Sequence, residues 1–122
     1  MKPNYFTTYT TIPLLKLKIW TEIQTFAINE YQLKGLVESF EQDLHDLINN
    51  ARLGLKNDNQ QGIFEAMHTL KGIAGTLGAT RLHKMAQSAE KLSIKRLQEK
   101  KIIDQIEQCG NASLKAMNSS SE

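Results

Sequence analysis

The residues of this 122-residue chain whose types and spacing point to chemistry are His68, Lys71, Gly72 and Gly75, all within one stretch of helical periodicity. A free imidazole has a pKa of about 6.5, so much of it is neutral and nucleophilic near neutral pH without a dedicated base. At about 100° per residue, Ile63, Met67, Leu70, Ala74 and Leu77 fall within an arc about 80° wide, the face expected to enter a core. His68, Gly72 and Gly75 lie about 120° to 180° from the centre of that arc, with Phe64 and Lys71 on the flank between. The histidine is therefore expected to face outward.

Two glycines inside a helix disfavour it by up to about 2 kcal/mol relative to alanine, so a compensating use is expected. A residue at i+4 lies beside His68, and a missing side chain there opens a path to the imidazole; Gly72 and Gly75 are both read as access and docking positions. Lys71, at i+3, can swing its ammonium toward an anionic group carried on His68 and offset its charge. Phe64, one turn earlier, is either a core residue or part of a docking rim around the histidine. There is no glycine-rich nucleotide loop, no acidic pair placed for Mg²⁺ and no Ser/His/Asp spacing, so an independent enzyme is not expected. His45 and His83 lack any comparable setting, and the three histidines do not form a zinc spacing, so no metal site is expected. Cys109 is read as a structural thiol.

The elements that must position His68 follow from periodicity. A short leading helix is predicted over about Pro13 to Ala27. A long one follows, opened by a capping box of Asn29 and Gln32, carried by Leu33, Leu36, Val37, Phe40, Leu44, Leu47 and Ile48, and reaching about Leu55. Asn59 is a candidate cap for the helix carrying His68, predicted from Gln60 to Leu77 and stopped by Gly78. A fourth runs from Thr80 through Leu92, and a fifth, outlined by Ile102, Ile103, Ile106, Ala112, Leu114 and Met117, is expected to be interrupted near Gly110. Short connections make sequential helices antiparallel, so the expectation is an all-α fold, an up-down antiparallel four-helix bundle with an additional short N-terminal helix. Residues 12–117 form the expected domain, with tails or linkers at 1–11 and 118–122.

Composition bounds the function. The chain holds 40% hydrophobic residues, two prolines and seven glycines, an inventory for one helical domain with a small core. A net charge of +2 demands no nucleic acid. The basic stretch Lys84 to Lys101 is interrupted by Glu90 and Glu99 and reads as a solvated face. A nucleic-acid-binding bundle using Lys84, Lys91, Lys95, Arg96, Lys100 and Lys101 would need a recognition motif that is not present. The single cysteine excludes an internal disulfide framework and suits a reducing compartment, so a cytoplasmic setting is expected. Thr residues, Pro13, Lys16 and Lys18 break the apolar run from Met1 to Trp20, so neither a signal peptide nor a membrane span is read there.

His68-Thr69-Leu70-Lys71-Gly72, followed by Ala74, Leu77-Gly78-Ala79 and Leu82, resembles the signature of histidine phosphotransfer domains, and the likeness extends more loosely from about Ile19 to Ile106. That resemblance implies an up-down four-helix bundle in which His68 takes a phosphoryl group from an aspartyl phosphate of a response-regulator receiver domain and passes it to another receiver. It implies a phosphoryl carrier without kinase activity and without a cofactor of its own, Mg²⁺ being supplied by the receiver. A hybrid sensor histidine kinase is the other implied partner, and the chain could be the cytoplasmic end of such a kinase; a monomer without membrane contact is expected. Position by position, His68 matches the phosphorylated histidine, Lys71 the basic residue near the phosphoryl group and Gly72 the small residue permitting access. Glu90 matches a family Glu or Gln that accepts a hydrogen bond from the non-reacting imidazole nitrogen. A hairpin turning at Gly78 can hold Glu90 and His68 at similar heights, about 12 residues after and about 10 before the turn. Ile73 stands where many members carry a small polar residue and is expected to pack. The alternative is a helical adaptor that binds a receiver or kinase without phosphoryl transfer.

Overall fold

A computed structural model of the chain describes residues 7–27 and 29–120; the remainder of the expected tails, residues 1–6 and 121–122, lies outside them. A 3-10 helix, Thr7–Thr11, precedes six α-helices: α1 Leu17–Phe26, α2 Glu30–Lys56, α3 Gln60–Leu77, α4 Thr80–Ala89, α5 Ile94–Glu99 and α6 Ile102–Ser120. No strand occurs among the described residues.

Local chemistry sets most of the boundaries. Asn29 accepts from the Gln32 N–H at 2.9 Å and opens α2. Asn59 accepts from the Gly62 N–H at 3.0 Å and opens α3, where a Cβ on Gly62 would meet the Asn59 amide at 2.7 Å. Gly78 closes α3 in the left-handed conformation, φ 78°, and its N–H returns to the carbonyls of Ala74 and Gly75. The chain can then reverse into α4 within two residues.

Packing closes α2, α3, α4 and α6 into a ring, α2 on α3, α3 on α4, α4 on α6 and α6 on α2. Side-chain registers give the directions. Gly75 faces His83 and His68 faces Glu90, so seven residues back along α3 correspond to seven forward along α4. Leu44 lies against Gly110 while Arg52 reaches Asp104 and Glu107, an antiparallel register between α2 and α6. Phe40, Ile48, Ile63, Met67, Leu70, Leu82, Leu97, Ile102, Ile106 and Met117 fill the centre, and Trp20 is buried against them from α1. Each such side chain, fully buried, contributes about 1.5–3 kcal/mol. All five apolar residues assigned to the inner face of α3 are buried. Ile73 is partly buried against the core.

Five boundaries differ from expectation. The leading helix starts at Leu17 rather than at Pro13. Residues 7–11, expected to be tail or linker, form the 3-10 helix and pack on α4: Tyr9 hydrogen-bonds Ser88, and Arg81 donates to the carbonyls of Ile12 at 2.7 Å and Thr10 at 3.2 Å. The fourth helix ends at Ala89 rather than Leu92, because Ser93 starts a new one, accepting from the Arg96 N–H at 3.3 Å. The last helix runs unbroken through Gly110 and on to Ser120, so residues 118–120, expected to be tail, are helical. A Cβ on Gly110 would lie 2.6 Å from Leu44 Cδ2, so the glycine lets α2 and α6 approach and does not end the helix. Cys109 is buried, and burial pushes its thiol up to about 11.

Candidate functional site

His68 stands on the middle of α3 with 60% of its side chain exposed, on the face opposite Met67 and Leu70. Its neighbours come from two elements. Phe64, one turn earlier, stacks on the imidazole with ring centroids 5.6 Å apart and planes 15° apart. Phe64 is itself 39% exposed, which makes it a surface partner of the ring and not a core residue. From α4, Glu90 places Oε2 3.3 Å from His68 Nδ1 and Oε1 2.9 Å from Lys71 Nζ. One carboxylate therefore bridges the histidine and the lysine.

The Glu90 side chain is only 9% exposed. Burial pushes its carboxyl up, but hydrogen bonds and charge from Lys71 and His68 outweigh burial and hold it below the usual carboxylate range. An ionised carboxylate only accepts, so the hydrogen bond assigns the proton of the neutral ring to Nδ1. Nε2 then carries the lone pair, on a side chain that is 60% exposed. Gly72, one turn beyond His68, would place a Cβ with no atom within 4 Å, so the space beside the ring on that side is open.

Gly75 does something else. A Cβ there would lie 3.0 Å from His83 Nδ1 and 3.3 Å from Cε1, so this glycine seats a ring from α4 and is not an access position beside His68. Its phase along α3 points it away from the apolar stripe, but the neighbouring helix covers that flank. His83, assigned no setting from its place in the chain, hydrogen-bonds the Lys71 carbonyl at 2.9 Å. The signal for it was a glycine three residues before Gly78 and a histidine five after it, the same offset of two that relates His68 to Glu90. His45 is exposed on α2 and interacts with Asn49, away from this cluster.

Chemically, the site offers an oriented, largely exposed imidazole, an ammonium one turn away and a buried carboxylate joining them. Among the described residues no group of three or more His, Cys, Asp or Glu side chains is arranged to hold a metal ion, and no helix is long and apolar enough to cross a membrane.

The Hpt domain family model matches residues 35–119, and the chain belongs to that family. The match spans α2 from Gly35 through nearly all of α6 and holds every residue of the His68 cluster, whereas the 3-10 helix and α1 precede it. Membership places the chain among the histidine phosphotransfer modules of two-component phosphorelays, phosphocarriers that interact with receiver domains. No curated protein and no solved structure matches the chain.

Proposed function

We propose that His68 accepts a phosphoryl group from the aspartyl phosphate of one receiver domain and passes it to the aspartate of another. In the first step the Nε2 lone pair attacks phosphorus in line, the Nε2–P bond forms and the P–O bond to the aspartate breaks, releasing its carboxylate. The ring keeps its Nδ1 proton and becomes a phosphoimidazolium, whose positive charge faces the Glu90 carboxylate. Lys71, one turn from His68, exchanges its ammonium between Glu90 and the new phosphoryl oxygens. Gly72 leaves room for the receiver's backbone to approach. Attack by a second receiver aspartate on the same phosphorus breaks the Nε2–P bond and restores the neutral ring.

The Mg²⁺ that polarises the phosphoryl group belongs to the receiver. The partners in this reading are response-regulator receivers and a hybrid sensor kinase, and the module works in the cytoplasm as a monomer. The observation that carries the proposal is the bond from His68 Nδ1 to Glu90, which leaves Nε2 as the nucleophilic nitrogen of a largely exposed side chain one turn from an open glycine.

The test is to incubate the chain with a phosphorylated receiver and Mg²⁺ and follow acid-labile, base-stable label. Wild type should take up label and His68→Gln should take up none while keeping its helical spectrum. Absence of label on folded wild type with several receivers would leave a helical adaptor as the reading.

A further inference from the structure

His83 lies on the opposite side of Lys71 from the histidine cluster, and the contacts around it form one connected fixture. A backbone carbonyl only accepts, so the 2.9 Å contact to Lys71 O makes His83 Nδ1 the donor. That carbonyl belongs to the turn that joins Lys71 to Gly75, whose N–H it serves in α-helical geometry. The ring reaches it because Gly75 has no side chain; a Cβ would press within 3.0 Å of the same Nδ1. Lys71 is thus held to α4 at two points, its backbone by His83 and its side chain by Glu90, two turns apart on that helix. The contact from Glu90 to His68 is the longest of the series at 3.3 Å. It is the one most easily lost if α3 and α4 slide or separate, since a hydrogen bond weakens steeply with distance and angle.

Building on the carrier reading of His68, we infer that His83, seated over Gly75, is a positioning residue for the phosphoryl-accepting histidine. It pins the Lys71 turn of α3 to α4, and this keeps the Glu90 carboxylate on His68 Nδ1 and the lone pair on Nε2. The same fixture explains why a glycine sits at position 75, where access to His68 does not require one.

The experiment records ¹⁵N spectra of the histidine rings in the full chain, with His68→Gln used to assign the His68 signals, and measures transfer from a phosphorylated receiver on the same samples. Truncation in His83→Ala should reduce the Nδ1–H form of His68 severalfold and slow transfer about tenfold, the cost of a slightly misaligned attacking group. Rescue comes from His83→Asn, whose side-chain N–H can occupy the Nδ1 position; it should restore most of both. A His83→Ala protein with a lowered melting temperature but an unchanged His68 spectrum and rate would overturn the inference. If His83→Ala does not fold, Gly75→Ala keeps the ring and displaces it from the Lys71 carbonyl, and an unchanged His68 spectrum there overturns it equally. The ring spectrum needs no phosphoryl donor. A response of His68 to His83 in a chain that takes no label would therefore uphold the positioning role and reject the carrier reading.

Discussion

Replacing Glu90 with glutamine keeps the length of the side chain and removes its charge, which isolates the electrostatic part of the site. Only the neutral form of the His68 ring has a lone pair to attack with, and the product of that attack is a phosphoimidazolium, so the carboxylate favours the product. At the observed 3.3 Å a unit charge opposite a carboxylate is worth about 1.3 kcal/mol in bulk water and about 5 kcal/mol at an effective dielectric of about 20. With 60% of the imidazole exposed, solvent screens the pair and the lower end applies, about 1.5–2 kcal/mol. The equilibrium between phosphorylated receiver and phosphorylated His68 should therefore move toward the receiver roughly 10- to 30-fold in Glu90→Gln. Label partition between the two proteins at equilibrium measures it directly. Glu90 also holds Lys71 at 2.9 Å, and its loss frees that ammonium for the phosphoryl group, an effect of opposite sign. In a Lys71→Met background that compensation is absent, so the Glu90→Gln shift should be larger. Partition within twofold of wild type in both backgrounds, with the fold intact, would refute the account of Glu90 as counter-charge.

Other outcomes follow from the same contacts. Gly72→Leu adds a side chain where no atom lies within 4 Å and replaces a helical glycine, so the melting temperature should rise, by the equivalent of about 0.5–1 kcal/mol, while transfer from a receiver falls at least about tenfold. Hydrogen bonds from Arg52 hold the Glu107 carboxyl below its ordinary value of 4.5. A carboxyl depressed in the folded state stabilises it above the unfolded value and loses that contribution as pH falls through the folded one. The urea midpoint of the wild type should therefore drop below about pH 4.5 more steeply than that of Glu107→Gln. At Gly110, alanine gains helix propensity of about 1 kcal/mol but presses Cβ to 2.6 Å from Leu44, an overpacking worth about 1–3 kcal/mol. A small net loss of stability should appear in thermal unfolding, and Leu44→Ala in the same chain should relieve the strain part of it.

How much was legible in the chain can be read from individual residues. The ends of α3 were written in Asn59 and Gly78, because capping and left-handed turns depend on a few adjacent residues. The outward phase of His68 followed from a period of 3.6 and the apolar set on the other side of the same helix. Glycines were harder to read. The same residue type opens space at Gly72, admits a ring at Gly75 and lets two helices touch at Gly110, and only the atoms across the gap distinguish these uses. The break after Ala89 was likewise hidden, since Leu92 keeps the apolar spacing while Ser93 supplies the cap of the next helix.

By itself, then, the sequence determined what depends on near neighbours: the ends of α3, its buried stripe, the exposed imidazole with a lysine one turn away, and a signature resembling that of the family to which the chain belongs. Tertiary structure alone decided what depends on register between helices distant along the chain. It set Lys71 on the second oxygen of Glu90, His83 on the Lys71 carbonyl, and Gly75 beneath that ring. The physical reason is that a hydrogen bond tolerates only a few tenths of an ångström. Helical periodicity places a side chain on a face, and its height against a partner is left to the packing of the whole bundle.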